Sequence, residues 1–512
     1  MALQSWYEQA ITVELLDYNT LFLCLLFVLP LVLVLFKQYL LKSEKLINLP
    51  PSPPKLPIIG NLHLLGTLPH RSLRALSDKY GPLMLLRLGH SSTLVVSSAD
   101  MASEMVKTRD IVSSNRPKTT ATNIFLYGCR DFAFAPYGEY WRHARKICVL
   151  ELLSMKRVQS FTYVREEEVE ILLDKIRLSC FDGGIVDLTV MLQAAVNNVV
   201  ARCVLGRKAE EENGSGKFGV LSRRVMLLMT AFCFGDVFPS LACLDVVTGH
   251  IGRINTTFKA IDALLDQVIE EHRTSNGDDV DDQFDKKDFV HILLQLQKDG
   301  MFEIDLTQND MKAILMDMFV AGTDTTSTTL EWVMAELVRH PNIMKKAQEE
   351  VRSVMKNKLK IDMNEMDYLK CVIKETLRLH APVPLIPRET STITNLGGYD
   401  IPEKTRVFVN AWAIPGSCLR AEEFIPKRFE NNCVDFKGQD FQFIPFGGGR
   451  RGCPGLSFGV AAAKFVLANI LYSFDWKLPS GAVADNLDMT EVIGLTVRKK
   501  LPLLLLPTFY SP

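Results

Sequence analysis

The stretch Phe446-Gly447-Gly448-Gly449-Arg450-Arg451-Gly452-Cys453-Pro454-Gly455 restricts what this chain can become more than any other part of it. Its glycines let the backbone enter positive φ and pass close to something bulky. Its arginines are fixed cationic forks. Its cysteine stands at the mouth of an apolar helical run, Leu456 to Leu471. A helix N-terminus and neighbouring arginines both favour a thiolate, and a thiolate held this way suits a metal ion. Two other readings fit parts of the stretch. Gly447, Gly449 and Gly452 satisfy the G-x-G-x-x-G of a dinucleotide loop between a strand-like run, Phe441 to Ile444, and a helix. Against it, Pro445 stands where a central strand should end, and about 60 residues remain, too few for a doubly wound domain. The other reading is a plain glycine turn beside a bystander cysteine.

The 512 residues, 47% of them hydrophobic, suffice for one large core or two to three ordinary domains. A net charge of −1 predicts no nucleic-acid partner. Eleven scattered cysteines without a C-x-x-C pair fit a reducing compartment, not a disulfide framework. Residues 1–19 carry acids but no Lys or Arg, Thr20 to Phe36 is apolar, and Lys37, Lys42 and Lys45 follow. The positive-inside rule predicts a lumenal N-terminus (1–19), a single transmembrane anchor (20–36) and a cytosolic remainder. A cleaved signal peptide would carry its basic residues before the apolar run, the reverse of the order here. Residues 37–60 are basic and then proline-rich. Leu49 to Pro57 predicts a semi-rigid polyproline spacer ahead of a catalytic body over 61–512.

Further along, Leu83 to Leu88 and Leu94 to Ser98 predict a hairpin. Trp141 and Arg145 share one helix face. A long helix is expected from Gln308 to His340, with Thr307 and Asp310 as a capping box and Pro341 at its end. Its middle, Ala321-Gly322-Thr323-Asp324-Thr325-Thr326, holds poor helix formers and an acid in apolar surroundings. Such a conflict marks a functional site or, more blandly, a Thr-rich packing face. Glu375 and Arg378 pair on one helix face, worth little if exposed. Pro382 to Pro387 leads as a strand into Arg388, and Val407 to Trp412 and Leu501 to Leu506 also read as strands. Glu166 to Glu168, Glu210 to Gly216 and Gly277 to Asp288 read as solvated faces and loops without chemistry.

The cysteine stretch resembles the haem-binding loop of the cytochromes P-450, the haem-thiolate monooxygenases. Four further marks resemble the family in the right order: anchor and proline hinge, Trp-x-x-x-Arg, the Thr-bearing helix and E-x-x-R. The likeness is to plant microsomal A-type members. It implies a mainly α fold with small β-sheets (α+β), preceded by one transmembrane helix. Cys453 would be the axial ligand of haem b iron, with Phe446 and Gly447 in the loop around it. Trp141, Arg145, Arg388 and Arg451 would hold the propionates. Gly322 would let haem and O₂ approach the backbone, and Thr325 and Asp324 would deliver protons. Glu375, Arg378 and Arg428 would form a buried structural triad, and Ala321, Leu385 and Val492 would face substrate. Electrons would come from NADPH through NADPH-cytochrome P-450 reductase at the endoplasmic reticulum membrane. The substrate would be a small apolar plant metabolite: a terpenoid, a coumarin or other phenolic, or an oxime. The alternatives are aldoxime dehydration or rearrangement on the same fold, and a non-catalytic haem binder. One segment departs from the family pattern. After Ile414 the pattern has Arg-Asp-Pro and then Trp. This chain has Pro415-Gly416-Ser417-Cys418-Leu419-Arg420, about three residues short by Phe424, which puts haem seating and stability in question.

Overall fold

The computed structural model describes residues 48–209, 217–275, 287–300, 305–356, 365–417, 420–479 and 481–510. The expected lumenal segment and transmembrane anchor lie outside the described residues.

The principal helices are α1 (Pro69–Tyr80), α2 (Glu139–Ile147), α3 (Thr162–Phe181), α4 (Leu188–Leu205), α5 (His250–Ser275), α6 (Phe289–Asp299), α7 (Gln308–Arg339), α8 (Pro341–Met355), α9 (Asp367–Leu379) and α10 (Leu456–Ser473). The longest, α7, is the axis of the body and packs against α4, α9 and α10. It begins at the expected capping box: Thr307 N–H donates to Asp310 Oδ2 at 2.9 Å, and Asp310 N–H to Thr307 Oγ1 at 3.3 Å. It stops before Pro341, which opens α8 at the one helical position where a missing N–H costs nothing. Residues on all sides of α7 are buried, so it carries no polar face. Both α4 and α10 are long and apolar enough to cross a membrane, yet they pack within the fold.

Strands are few. β1 (Leu83–Leu88) and β2 (Ser91–Val96) form the expected hairpin, with Leu83 opposite Val96. They join β3 (Leu385–Glu389) and β4 (Arg406–Asn410) in one sheet of order β1-β2-β4-β3, in which only β2 and β4 run parallel. Near the C-terminus, β5 (Glu491–Ile493) and β6 (Val497–Lys499) make a tight hairpin, and β7 (Leu504–Phe509) pairs elsewhere. The fold is therefore helix-rich with small sheets, as expected.

Two expectations need correction. The proline stretch lies on the body: Leu85 N–H donates to Pro51 O at 2.9 Å, Asn61 Nδ2 to Pro54 O at 3.0 Å, and Pro50 and Pro53 are buried. Glu168, placed on a solvated face, is buried because Arg202 Nη1 reaches its Oε1 at 2.8 Å.

Candidate active site

The cysteine loop winds without a strand. Phe441 to Ile444, expected to be strand-like, runs through turns closed by Phe443 N–H on Asp440 O. A dinucleotide loop thereby loses the strand it requires. Gly447 (φ +71°) and Gly449 (φ +63°) take left-handed conformations, and a Cβ on Gly449 would stand 2.8 Å from Val106 Cγ1. The Phe446 ring packs on Phe436, and its carbonyl accepts the Cys453 N–H at 2.9 Å. The Cys453 residue is accessible although protein encloses its thiol, so it lines an internal cleft. Burial pushes the thiol up. The Gly455 N–H, the Arg145 charge and the Leu456 N–H pull it down without prevailing. The expected thiolate thus needs a further cation, and a metal ion deprotonates a coordinating thiol outright.

Four guanidiniums converge beside this loop. Arg388 bonds Asp110 Oδ1 and the Gly448 carbonyl, both at 2.8 Å. Arg451 stacks over the Trp141 ring at 4.4 Å and donates to the carbonyls of Ser114, Phe132, Ala133 and Ala135. Arg145 donates to the Gly452 carbonyl. Arg116, which sequence reasoning passed over, donates to Pro387 O while its buried Nε has no partner. Its only sequence signal is a lone cation before a proline, an extended position. Burial holds all four below the ordinary arginine range, and mutual repulsion lowers Arg116 and Arg451 further. Since arginine stays charged, this crowding is a free-energy cost that an anion relieves. The nearby carboxylates are Asp110, which Arg450 also claims at 3.0 Å, and the pair Asp131 and Asp317. A dicarboxylate such as haem b fits the remaining charge and the orphaned Nε. Trp141 does not present its N–H for this purpose, because that group donates to Phe132 O at 2.9 Å.

Asp131 and Asp317 are a buried pair of acids, both pushed upward chiefly by burial, with Asp317 raised further by the charge of Asp131. They brace the same turn: Asp131 Oδ2 accepts the N–H of Ala133 and Phe134, and Asp317 Oδ2 those of Phe132 and Ala133. An acid raised in the folded state stabilises it most below the unfolded value of about 4, and that stabilisation is lost as pH climbs toward the folded value. Asp317→Asn is therefore expected to gain stability relative to wild type between acid and neutral pH. Thermal midpoints across that range check it, and a pH-independent difference would mean that the Asp317 carboxyl is not raised by folding.

The middle of α7 is where this buried helix opens. Ala321 is exposed there, and Gly322, Asp324 and Thr325 are half-buried. Thr325 Oγ1 donates to Ala321 O at 2.7 Å, so its lone pairs remain free to accept. A Cβ on Gly322 would meet Val200 of α4 at 3.3 Å. This glycine thus permits the close approach of α4. Asp324 faces the C-terminal hairpin, where Thr496 Oγ1 donates to its Oδ2 at 2.7 Å and lies 3.1 Å from Thr328 Oγ1. Burial raises the Asp324 carboxyl against the pull of that bond. Thr496 has no signal of its own in the sequence, where only the neighbouring Val492 is singled out. Val492 lies in β5 opposite Arg498. Leu385 packs on the small core of Leu73 and Met84, whereas Ile386 Cδ1 lies 3.7 Å from where a Gly447 Cβ would stand.

The structural triad is assembled. Glu375 is fully buried, with Arg378 Nε and Nη2 on its two oxygens at 2.8 and 2.9 Å, and Arg428 Nε and Ile425 N–H on Oε1 at 3.2 and 2.8 Å. Arg378 also anchors the chain after the shortened segment, donating to the carbonyls of Ala421 and Glu423. Upstream, Gly416 makes room for Arg74, whose Nη1 bonds Ala413 O at 2.8 Å.

Residues 50–506 match the family model for cytochrome P-450. A phenylacetaldehyde oxime monooxygenase of Prunus mume is 52% identical over 482 residues, covering 92% of this chain and 91% of that protein. Cytochrome P-450 71A1 of Persea americana is 51% identical, covering 87% and 90%, and a costunolide synthase of Lactuca sativa 46%, covering 93% and 97%. Among solved structures, a zebrafish cytochrome P-450 with progesterone superposes with a TM-score of 0.73 at 26% identity, over 86% of this chain and 99% of that one. A cysteine loop, a buried E-x-x-R triad and a matching family model over nearly the whole described body together place this chain in the cytochrome P-450 family, among its plant A-type monooxygenases.

Proposed function

We propose that this chain inserts one atom of O₂ into a small apolar plant specialised metabolite, taking electrons from NADPH-cytochrome P-450 reductase at the endoplasmic reticulum membrane. The observation that carries the reading is the accessible Cys453 residue beside four guanidiniums, Arg388 and Arg451 buried and Arg116 and Arg145 half-buried, whose charge the neighbouring acids do not match. Haem b, held by Cys453 and by Arg116, Arg145 and Arg388 at its carboxylates, supplies the oxidising chemistry when bound. The chain's own residues do the rest. Thr325 accepts a hydrogen bond from a water beside the exposed Ala321. Asp324 keeps its proton to higher pH than a free aspartate, as a proton donor working near neutrality must. Thr496 aims that carboxyl, and Thr328 extends the hydrogen-bonded row. The N-terminal anchor at 20–36 holds the body on the cytosolic face, and the reductase docks on the cysteine side. Aldoximes are the first substrate class to try, because a relative with half its residues in common is named for phenylacetaldehyde oxime.

The test is turnover of the microsomal protein with reductase, NADPH and ¹⁸O₂ over a panel containing phenylacetaldehyde oxime, terpenoids and coumarins. A product carrying one labelled oxygen is the expected result. An unlabelled product from an oxime would replace the proposal with dehydration, and NADPH use that no compound stimulates would replace it with a non-catalytic haem protein. Thr496→Val should lower product per NADPH by about tenfold, part of the roughly 10²–10⁴ a positioned proton donor contributes. An unchanged ratio would remove Thr496 from the relay.

A further inference from the structure

Away from the cleft, three side chains that can ligate metal meet at the ends of three helices. His272 lies near the end of α5, Asp288 caps α6, and His291 is in the first turn of α6. Gly277 to Asp288 read from sequence as a solvated loop, and Asp288 corrects this, being 6% exposed. Its Oδ1 accepts the His291 N–H at 3.0 Å as a helix cap. Its Oδ2 lies 2.9 Å from His272 Nε2 and 3.0 Å from His291 Nδ1. The three ligand atoms all lie within 4.8 Å of one another.

Two observations ask for a cation among them. His272 Nδ1 lies 2.7 Å from Val268 O, and a carbonyl only accepts, so Nδ1 carries a hydrogen. In the neutral ring Nε2 is then a bare lone pair facing a carboxylate oxygen, a repulsive arrangement until something positive lies between them. An Nδ1–H anchored on a backbone carbonyl is also how metal-bound histidines are oriented. Independently, the buried His291 Nδ1 has no hydrogen-bond partner although it sits beside the same oxygen. A proton on His272 Nε2 with His291 as its Nδ1–H tautomer is one answer to this geometry, and a single divalent ion engaging both nitrogens and the carboxylate is the other. On the fourth side α4 ends on a glycine, whose missing side chain lets the backbone lie close against the carboxylate. A Cβ on Gly206 would stand 2.4 Å from Asp288 Oδ2 and 3.4 Å from His272 Nε2. The nearby cation Arg207 is itself paired with Glu271 at 3.3 Å.

We propose that His272, Asp288 and His291 form a divalent transition-metal site, filled by zinc with a water as fourth ligand, that clamps α5 to α6 beside the end of α4. Two imidazoles and one carboxylate are a donor set of the zinc type. Ligand atoms around tetrahedral zinc stand roughly 3.3–3.5 Å apart, so the carboxylate oxygen must draw back from both imidazoles, and the two ring nitrogens, within 4.8 Å of each other, must settle at the same spacing.

The test uses tag-free full-length holoenzyme in detergent, stripped with chelator, desalted, and equilibrated with zinc chloride in a non-coordinating buffer. Metal analysis is expected to find one more zinc per chain in wild type than in His291→Gln or His272→Gln, and zinc should raise the unfolding midpoint of wild type alone. The zinc-free His291→Gln midpoint and carbonyl spectrum should match wild type, showing that the variant is folded. Equal zinc in wild type and His291→Gln, or the same zinc-dependent midpoint in both, would overturn the site. His291 is not the helix cap, so this variant remains decisive even if His272→Gln fails to fold.

Discussion

Cys453→Ser is expected to give a folded protein whose reduced, carbon monoxide-bound Soret band is no longer red-shifted and whose monooxygenation falls to background. The red shift reports an anionic sulfur on the iron. A serine hydroxyl in the same place has no accessible anion near neutral pH, so a neutral or absent ligand replaces a charged one. The fold should survive because the loop is closed by backbone. The Cys453 N–H on Phe446 O and the left-handed turns at Gly447 and Gly449 do not involve the sulfur. Difference spectra, with the thermal midpoint of the same preparation, decide the matter. A retained red-shifted band would move the ligand elsewhere, and loss of the fold itself would mean that the sulfur has a structural task not seen here.

Glu375→Ala should be the most damaging substitution for folding. Its carboxylate is the common acceptor for Arg378, Arg428 and the Ile425 N–H. Removing it leaves a buried guanidinium, a partly buried one and an amide without their anion. Stranding the partners of a buried pair costs roughly 3–5 kcal/mol, against a total stability of about 5–15 kcal/mol. The segment 420–430 should detach with it, because Arg378 holds that segment by two carbonyls. The expected outcome is little recoverable haem protein, measured as carbonyl-active haem per polypeptide. Glu375→Gln, which keeps an acceptor but not the charge, should be intermediate. Wild-type recovery of Glu375→Ala would mean that the triad is dispensable.

The parts of the site that were legible in sequence are those whose chemistry is local. Gly447 and Gly449 need positive φ, the acid and threonines of α7 break its propensity, and Glu375 and Arg378 sit three apart on one helix. What was not legible depends on partners far along the chain. Asp317 reads as one more acid until the turn after Asp131 folds onto it. Arg116 is marked locally only by the proline after it, since its crowding comes from Arg388 and Arg451. The packing role of Gly322 is equally invisible until Val200 of α4 folds against it. Phe441 to Ile444 has strand composition, yet it pairs with nothing because Gly438 and the glycines after Pro445 keep the chain turning. Asp288 illustrates the converse: an acidic run suggested solvent, while the N-cap geometry and two histidines on separate helices drew its last member inside.

The bond between Asp324 and Thr496 ties the acid of α7 to the C-terminal hairpin, which also carries Val492. A change in that hairpin that admits a differently shaped molecule also moves the group that aims the carboxyl. Divergence toward new substrates through this hairpin therefore carries an efficiency penalty at first, and compensating changes around Thr328 should accompany it in lineages that have switched. Ile386 and Ala321 take no part in that bond, so changes at those positions leave the aim of the Asp324 carboxyl untouched.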